Sequence, residues 1–255
     1  MTSLARGLAV LRSFSVVSGD VSSAEICQST GLSRAVVRRC LYTLCEAGYV
    51  RRVNSRFQLE PAILSLAQPY YTAKNSLPVV AQPFLEEVNA ATNENCSLAV
   101  LDGDHIVFLA RAVAERIMTV PLTVGSRLPA GYTSLGRVLL SSLPADELDR
   151  FLERSPLTNH TGKSVTSDQT FRKSIAETCE SGFAIVDEEL ETGLRSISVP
   201  VLDHQGDTYA AMNVGVQAAR VDVSELHRTV LPVLKSASKQ LSRRLTELEQ
   251  TPADS

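Results

Sequence analysis

No stretch of this 255-residue chain approaches the run of about 18 apolar residues that a membrane-spanning helix requires. The opening Met-Thr-Ser-Leu-Ala-Arg-Gly-Leu lacks the apolar core of a secretory signal. A cytoplasmic protein with no membrane partner is expected. The five cysteines (Cys27, Cys40, Cys45, Cys96, Cys179) form an odd set without CxxC spacing. Cys27, Cys40 and Cys45 fit helical core or near-core slots and read as small buried hydrophobes in a reducing compartment, and neither a metal nor a cofactor is expected. HExxH, a nucleophile elbow, GxGxxG and a P-loop are all missing, and no two of His105, His160, His204 and His227 are close in sequence. The acidic run Asp187-Glu188-Glu189 therefore has no neighbour in sequence with which to build an acid–base or metal site. An enzyme is not expected. Internal repeats and low-complexity segments are also absent.

Lysine is missing from the first 60 residues, which instead hold eight arginines against Asp20, Glu25, Glu46 and Glu60, a net charge of +4. The whole chain carries −3, so the remainder carries −7. A basic head on an acidic body is the asymmetry of a nucleic-acid-binding module joined to something else, and the body's charge would confine a duplex to the head.

Within the head, residues 21–59 read as a winged helix-turn-helix. Ser23 is a candidate cap for a short helix Ala24–Thr30, and Gly31 stands at the turn. Ser33 is a candidate cap for a second helix that Gly48 ends. At about 100° per residue, Val36, Val37, Cys40, Leu41 and Leu44 share one arc, and Arg34, Ala35, Arg38, Arg39 and Tyr42 the other. Strands near Tyr49–Arg52 and Arg56–Leu59 would make the wing and carry Arg51, Arg52 and Arg56. The candidate DNA-binding set is Ser23, Ser33, Arg34, Ala35, Arg38, Arg39, Tyr42, Arg51, Arg52 and Arg56. Arg34 and Arg38 are placed to read guanine edges, and Arg39 and Tyr42 to hold phosphates.

In front of this module, Leu4, Leu8, Leu11 and Phe14 recur at helical spacing over Ser3–Val17, with Ser3 as a cap, in a helix expected to pack across the pair. Behind it, Pro61 to about Lys74 is predicted as a linker helix that Pro69 kinks or interrupts. The expected divisions are a DNA-binding domain over 1–60, a linker helix over 61–77 and a second domain over 78–250. That domain opens with a helix near Val79–Thr92. The strands Cys96–Leu101 and His105–Ala110 flank the turn Asp102-Gly103-Asp104, and Ile117–Leu122 is a further strand. After an irregular stretch from Gly125 to Gly136 come helices Ser134–Ser142, Ala145–Glu153 and Phe171–Glu180. Strands Phe183–Asp187, Ser196–Leu202 and Tyr209–Gln217 follow, and a closing helix or helix pair over Val223–Leu248 contains Pro232. The pattern predicts an α+β fold, with one antiparallel sheet flanked by helices.

Thr133 or Ser134 can cap the helix Ser134–Ser142. Its free N–H groups then favour an anionic ligand group near Ser134, Leu135 and Gly136. Arg137 and Arg195 can each pair with a ligand carboxylate or with Asp187, Glu188 or Glu189; the structural role is preferred for Arg195, and Arg137 is left open.

Specific strings carry a resemblance. In the head they are Ser-Leu-Ala-Arg-Gly-Leu-Ala-Val-Leu (3–11) and Gly-Leu-Ser-Arg-Ala-Val-Val-Arg-Arg (31–39). In the body they are Val-Gly-Ser-Arg-Leu-Pro-Ala (124–130), Ser-Leu-Gly-Arg-Val-Leu-Leu (134–140), Asp-Glu-Glu-Leu-Glu-Thr-Gly-Leu-Arg-Ser-Ile-Ser-Val-Pro-Val (187–201) and Ala-Ala-Met-Asn-Val (210–214). With these strings in this order, nearly the whole chain resembles the IclR-type bacterial transcriptional regulators. The double arginine at 38–39 and the Arg137–Leu140 helix look like the subgroup controlling protocatechuate and 4-hydroxybenzoate catabolism.

The resemblance implies a winged helix-turn-helix joined to a GAF-like effector domain. It also implies double-stranded DNA as a partner, homodimers through the heads, homotetramers through the bodies, and a small carboxylic or aromatic acid as effector. A dimer would read an inverted-repeat operator. Carried over residue by residue, the family's pocket adds Ile117, Val120, Leu128, Val186, Ser196, Asn213 and Gly215 to Ser134, Leu135 and Gly136. Val186 departs from the acidic side chain that relatives can carry there and makes that wall more apolar. Plain core packing competes at the apolar positions. Asn213 is the strongest candidate, because a buried amide needs partners. The alternatives are a DNA-binding regulator without a small-molecule effector and an enzyme.

Overall fold

A computed structural model of the chain describes residues 2–14, 20–73, 76–114 and 122–250. The chain divides into two compact units, 1–74 and 75–255.

The first unit, the head, contains α1 (Thr2–Ser13), β1 (Val21–Ser22), α2 (Ser23–Thr30), α3 (Arg34–Glu46), β2 (Val50–Val53), β3 (Arg56–Leu59), a 3-10 turn Pro61–Ile63 and α4 (Leu64–Thr72). Val37 and Leu41 drive α3 onto Val10, Phe14, Val21, Ile26 and Val50, which are all buried. Gly48, at φ 76°, lets the chain leave α3: its N–H reaches Cys45 O and the Tyr49 N–H reaches Leu44 O, which closes the helix end. The sheet is larger than the two strands predicted for the wing, because β1 adds to β3 in the order β1-β3-β2. With two residues, β1 is too short to show period-2 alternation.

Helix α1 also differs from its sequence reading. Val10 and Phe14 are buried, but Leu4 and Leu8 are exposed, so half of the predicted apolar face lies uncovered. Helix α4 runs through Pro69 and buries none of its residues.

The second unit, the body, contains α5 (Leu77–Thr92), β4 (Asn95–Asp102), β5 (His105–Ala112), β6 (Arg127–Pro129), a 3-10 turn Ala130–Tyr132, α6 (Ser134–Ser141), α7 (Ala145–Arg154) and α8 (Asp168–Ser181). It continues with β7 (Ala184–Asp187), β8 (Leu194–Leu202), β9 (Thr208–Gln217), α9 (Val223–Glu225), a π turn Leu226–Val230 and α10 (Leu231–Gln250). The π turn ends two residues before Pro232, whose ring lacks the N–H that a regular ladder needs. The predicted strand Ile117–Leu122 lies outside the described residues except for Leu122. The edge strand β6 falls in the stretch the sequence reads as irregular.

All pairings in the six-stranded sheet are antiparallel, in the order β6-β5-β4-β9-β8-β7. Helices cover both faces. On one side, Ala210, Met212, Val214 and Val216 of β9 join Ile197, Val199 and Val201 of β8 under α5 and α10. On the other, Ala211 packs with Ile106 and Phe108 beneath α6, α7 and α8. Strand alternation thus turns Asn213 and Gly215 to the face that carries α6, where the sheet is left partly open.

Candidate functional sites

In the head, α2 and α3 meet at Gly31, whose φ of 67° needs no Cβ and whose N–H bonds Cys27 O at 2.9 Å. Ser22, rather than Ser23, caps α2. Its N–H bonds Glu25 Oε2 at 2.7 Å, and the Glu25 N–H bonds its Oγ at 3.3 Å. Ser23 is instead the first helical residue, exposed, because β1 delivers the chain one residue earlier. Ser33 has the backbone of a cap, φ −66° and ψ 152°, yet its hydroxyl makes no capping bond. The Val36 and Val37 N–H groups both use its carbonyl, at 3.0 Å.

Arg34, Ala35, Arg38, Arg39 and Tyr42 are all exposed along one face of α3. The wing arginines are less free. Arg51 Nε lies 3.1 Å from Glu60, and Arg52 Nε donates to Asn54 O at 2.8 Å across the wing turn. Arg56 turns inward: its guanidinium donates to Asp20 O and to both carboxylate oxygens of Glu25. That carboxyl is held down at about 2, chiefly by the Ser22 hydroxyl and N–H and then by Arg56.

In the body, a pocket opens on the α6 side of the sheet. Ile106, Phe108, Leu122, Leu128, Leu135, Val186, Leu190 and Leu194 make its walls apolar, and Gly215 leaves room, since a Cβ there would meet nothing within 4 Å. Polar side chains line the rest, among them Asn95, Tyr132, Thr133 and Glu189, the last paired with Arg137. A row crosses the sheet by register: Arg111 opposite Ser97, Ser97 opposite Asn213, and Asn213 opposite Ser198. At the end of that row Ser198 donates to Ser134 Oγ at 2.6 Å, and Ser134 donates to Ser196 Oγ at 2.8 Å. Arg111 Nε and Nη1 and Asn213 Oδ1 are buried without a hydrogen-bond partner. Burial pushes the Arg111 guanidinium down from its usual range.

Of the residues singled out from sequence, Leu128, Ser134, Leu135, Val186, Ser196, Asn213 and Gly215 line this pocket. Ile117 and Val120 lie outside the described residues. Gly136 stands behind the wall: a Cβ on it would come within 2.0 Å of Ala130 O, and its N–H is taken by Thr133 Oγ1 at 3.0 Å. Arg137 and Arg195 are both engaged in the framework. Arg137 donates to Gly131 O, Ser174 Oγ and, at 2.7 Å, to buried Glu189. Arg195 donates to Asp187 at 2.8 Å and to Ala218 O and Val221 O.

Sequence reasoning missed Arg111. The predicted strand stopped at Ala110, and strict alternation from Ile106 and Phe108 would send Arg111 to the opposite face. The register shifts between Leu98 and Ala99, so that Phe108 pairs Ala99 and Ala110 pairs Leu98, with Leu109 extra. This bulge re-aims Arg111 into the pocket. Among the described residues no group of three or more His, Cys, Asp or Glu side chains could hold a metal, and no helix is long and apolar enough to cross a membrane.

Comparison with known proteins adds a lineage to this geometry. A family model described as the bacterial transcriptional regulator IclR C-terminal domain matches residues 70–243, and one for the IclR helix-turn-helix domain matches residues 3–54. The chain is 39% identical to the Pca regulon regulatory protein of Pseudomonas putida, covering 96% of this chain and 84% of that one. A solved structure from Rhodococcus sp. RHA1 is 40% identical, with a TM-score of 0.80 over 97% of this chain and 99% of the other. The inducer-binding domain of the Acinetobacter transcription factor PobR, a double mutant in complex with 3-hydroxybenzoic acid, is 36% identical. It gives a TM-score of 0.61 over 65% of this chain and 97% of that domain.

Proposed function

This chain belongs to the IclR family of bacterial transcriptional regulators, and on that premise we propose that it is a cytoplasmic, sequence-specific regulator whose grip on an inverted-repeat operator is set by a small aromatic acid in the body pocket. The observation that carries the ligand half is the half-buried Arg111 guanidinium on the pocket wall, whose Nε and Nη1 are enclosed without a partner. A desolvated cation is costly unless an anion meets it, and apolar walls suit an aromatic or aliphatic body. The hydroxybenzoic acid held by the Acinetobacter domain and the pca control named for the Pseudomonas putida relative support the same class.

For DNA, the exposed face of α3 enters the major groove. Arg34 and Arg38 read guanine edges, while Arg39, Tyr42 and Ser33 hold phosphates with Ser23, Arg51 and Arg52 near the backbone. Leu4 and Leu8 on α1, and Leu64 and Leu66 on α4, are large apolar side chains exposed to solvent, which supports a homodimer built through the heads. The bodies then join dimers into a homotetramer. The effector acts by binding one arrangement of the assembly more tightly than the other.

A gel-shift with the DNA upstream of the protein's own gene, at fixed salt, with and without a panel of aromatic acids, tests both halves. A specific shift altered by one of the acids is the expected result. A specific shift that no acid alters removes the effector half and leaves a DNA-binding regulator. No sequence-specific shift under any condition removes the regulator reading for that operator.

A further inference from the structure

We propose that Arg111, at the end of β5, is the residue that receives the effector's carboxylate, so that the ligand lies across the sheet with its acid end over β5 and its other end toward Ser196 and Asn213. This rests on the reading that the body pocket takes a small organic acid, and it replaces the start of α6 as the anchor for that acid.

Three arginines lie near the pocket, and two are already satisfied. Arg137 is bound to Gly131 O, Ser174 and Glu189, and Arg195 to Asp187, Ala218 O and Val221 O. Arg111 alone among them keeps two buried nitrogens unpartnered, with its guanidinium 5.0 Å from the Phe108 ring centroid. The backbone that aims it is itself fixed: Gln82 Nε2 of α5 donates to the Arg111 carbonyl at 3.2 Å, and Ser97 pairs with it across β4. The bulge at Leu109 costs the sheet a regular ladder step, and what it yields is this side chain on the pocket face.

The start of α6 offers less. Thr133 already takes the Gly136 N–H through Oγ1 and the Arg137 N–H through its carbonyl, leaving the neutral N–H groups of Ser134 and Leu135. A planar guanidinium matches a carboxylate with two parallel charge-assisted bonds and outcompetes them for the charged end.

The other end then has a defined chemistry. Ser198 donates to Ser134 and Ser134 to Ser196, so the Ser196 hydrogen remains to be donated into the pocket. Asn213 Oδ1, diagonal to Ser196 through the Ser196–Gly215 and Ser198–Asn213 pairs, is an acceptor without a donor. A hydroxyl satisfies both at once, accepting from Ser196 and donating to Asn213. Asn213 lies two strands from Arg111, roughly 10 Å at the strand spacing, a span that a ring with opposed carboxylate and hydroxyl groups fills once the Arg111 side chain reaches inward.

The test uses the full-length protein, with calorimetric titration of 4-hydroxybenzoate, 3-hydroxybenzoate and the neutral isostere 4-hydroxybenzamide, and thermal melting without ligand. Wild type is expected to prefer an acid over the amide. Arg111→Met is expected to lose the acid by on the order of 100-fold while retaining the amide. Its unliganded melting temperature should equal or exceed that of wild type, because two enclosed nitrogens without partners are removed while the methionine side chain keeps a contact with Phe108. Arg111→Lys, which keeps the charge but not the fork, should fall between the two in acid affinity. Acid binding by Arg111→Met equal to wild type overturns the proposal. So does loss of acid and amide together with a lowered melting temperature in both variants, which would make Arg111 a structural residue. If wild type binds none of the three probes, the acid-effector reading beneath the proposal fails instead, and the proposal falls with it.

Discussion

On the head, Arg34, Arg38 and Arg39 stand exposed along α3; in the body, Arg111 is half-buried in a pocket, with Nε and Nη1 enclosed and unpartnered. The same side chain type therefore works under opposite conditions. An exposed guanidinium keeps its hydration until a phosphate or a base edge replaces it, so its contribution depends on salt. Arg111 has lost the hydration of Nε and Nη1 on folding, and binding of an anion recovers what folding gave up. The head's chemistry can be altered with little effect on stability, whereas in the body the pocket and the core share residues.

The largest expected effect tests that coupling. Gly136 lets α6 lie against the 3-10 turn, and a Cβ there would approach Ala130 O to 2.0 Å, a contact with backbone that cannot swing aside. Gly136→Ala should cost the body about 3 kcal/mol or more through overpacking, which is roughly 6–12 °C in melting temperature for a unit of this size. It should weaken acid binding with it, since Thr133, Ser134 and Leu135 would shift together. A melting temperature within a degree or two of wild type would show that α6 is not held as closely as the geometry says.

The counterpart on the head is Arg38→Ala. Operator affinity should fall by about 1–3 kcal/mol, with relaxed preference at one base position, while the melting temperature stays at its wild-type value. Arg52→Ala should instead reduce the salt slope by about one and leave base preference intact. Uniform loss over all sequences for Arg38→Ala would move it into the phosphate-contacting group and leave Arg34 as the reader.

These two surroundings also explain what could be read from the chain beforehand. The outward face of α3 follows from an arc of Val36, Val37, Cys40, Leu41 and Leu44, and helical periodicity carries over many residues without slipping. The antiparallel sheet with flanking helices was legible for the same reason, together with glycine turns at Gly103 and Gly182. Arg111 was not, because one unpaired residue, Leu109, reverses the parity of everything after it in the strand, and a bulge has no signature in alternation. The inward turn of Arg56 was hidden too: it depends on β1, two residues long, bringing Asp20 and Glu25 beside β3. Arg137 was legible only as an alternative, since its choice of Glu189 is made by tertiary packing.

A pH titration separates the two units further. The Glu25 carboxyl lies at about 2 in the folded head against an ordinary 4.5, so the ionised form is favoured by folding. Its contribution is fully present above the unfolded value and is lost as pH falls through the folded one. The head should therefore weaken between pH 4.5 and about 2, and Glu25→Gln should flatten that part of the curve. Far-ultraviolet circular dichroism against pH, wild type beside Glu25→Gln, reads the difference; coincident curves over that range would show that Arg56 and Ser22 do not hold the carboxylate in solution.

The smallest effect distinguishes two serines that look alike in sequence. Ser22 exchanges both capping bonds with Glu25, at 2.7 and 3.3 Å, so Ser22→Ala should cost about 1 kcal/mol of head stability. Ser33 has the dihedral angles of a cap, but its hydroxyl is not used, and the first turn of α3 is satisfied through its carbonyl instead. Alanine keeps that carbonyl. Ser33→Ala should therefore leave the melting temperature within the few tenths of a kcal/mol usual for an exposed substitution, about 0.5 kcal/mol at most. If the free hydroxyl holds a phosphate, the same variant should lower operator affinity without changing base preference. Equal losses of stability from both serines would mean that the Ser33 hydroxyl does cap α3 in solution, and would remove it from the set of groups left free to meet DNA.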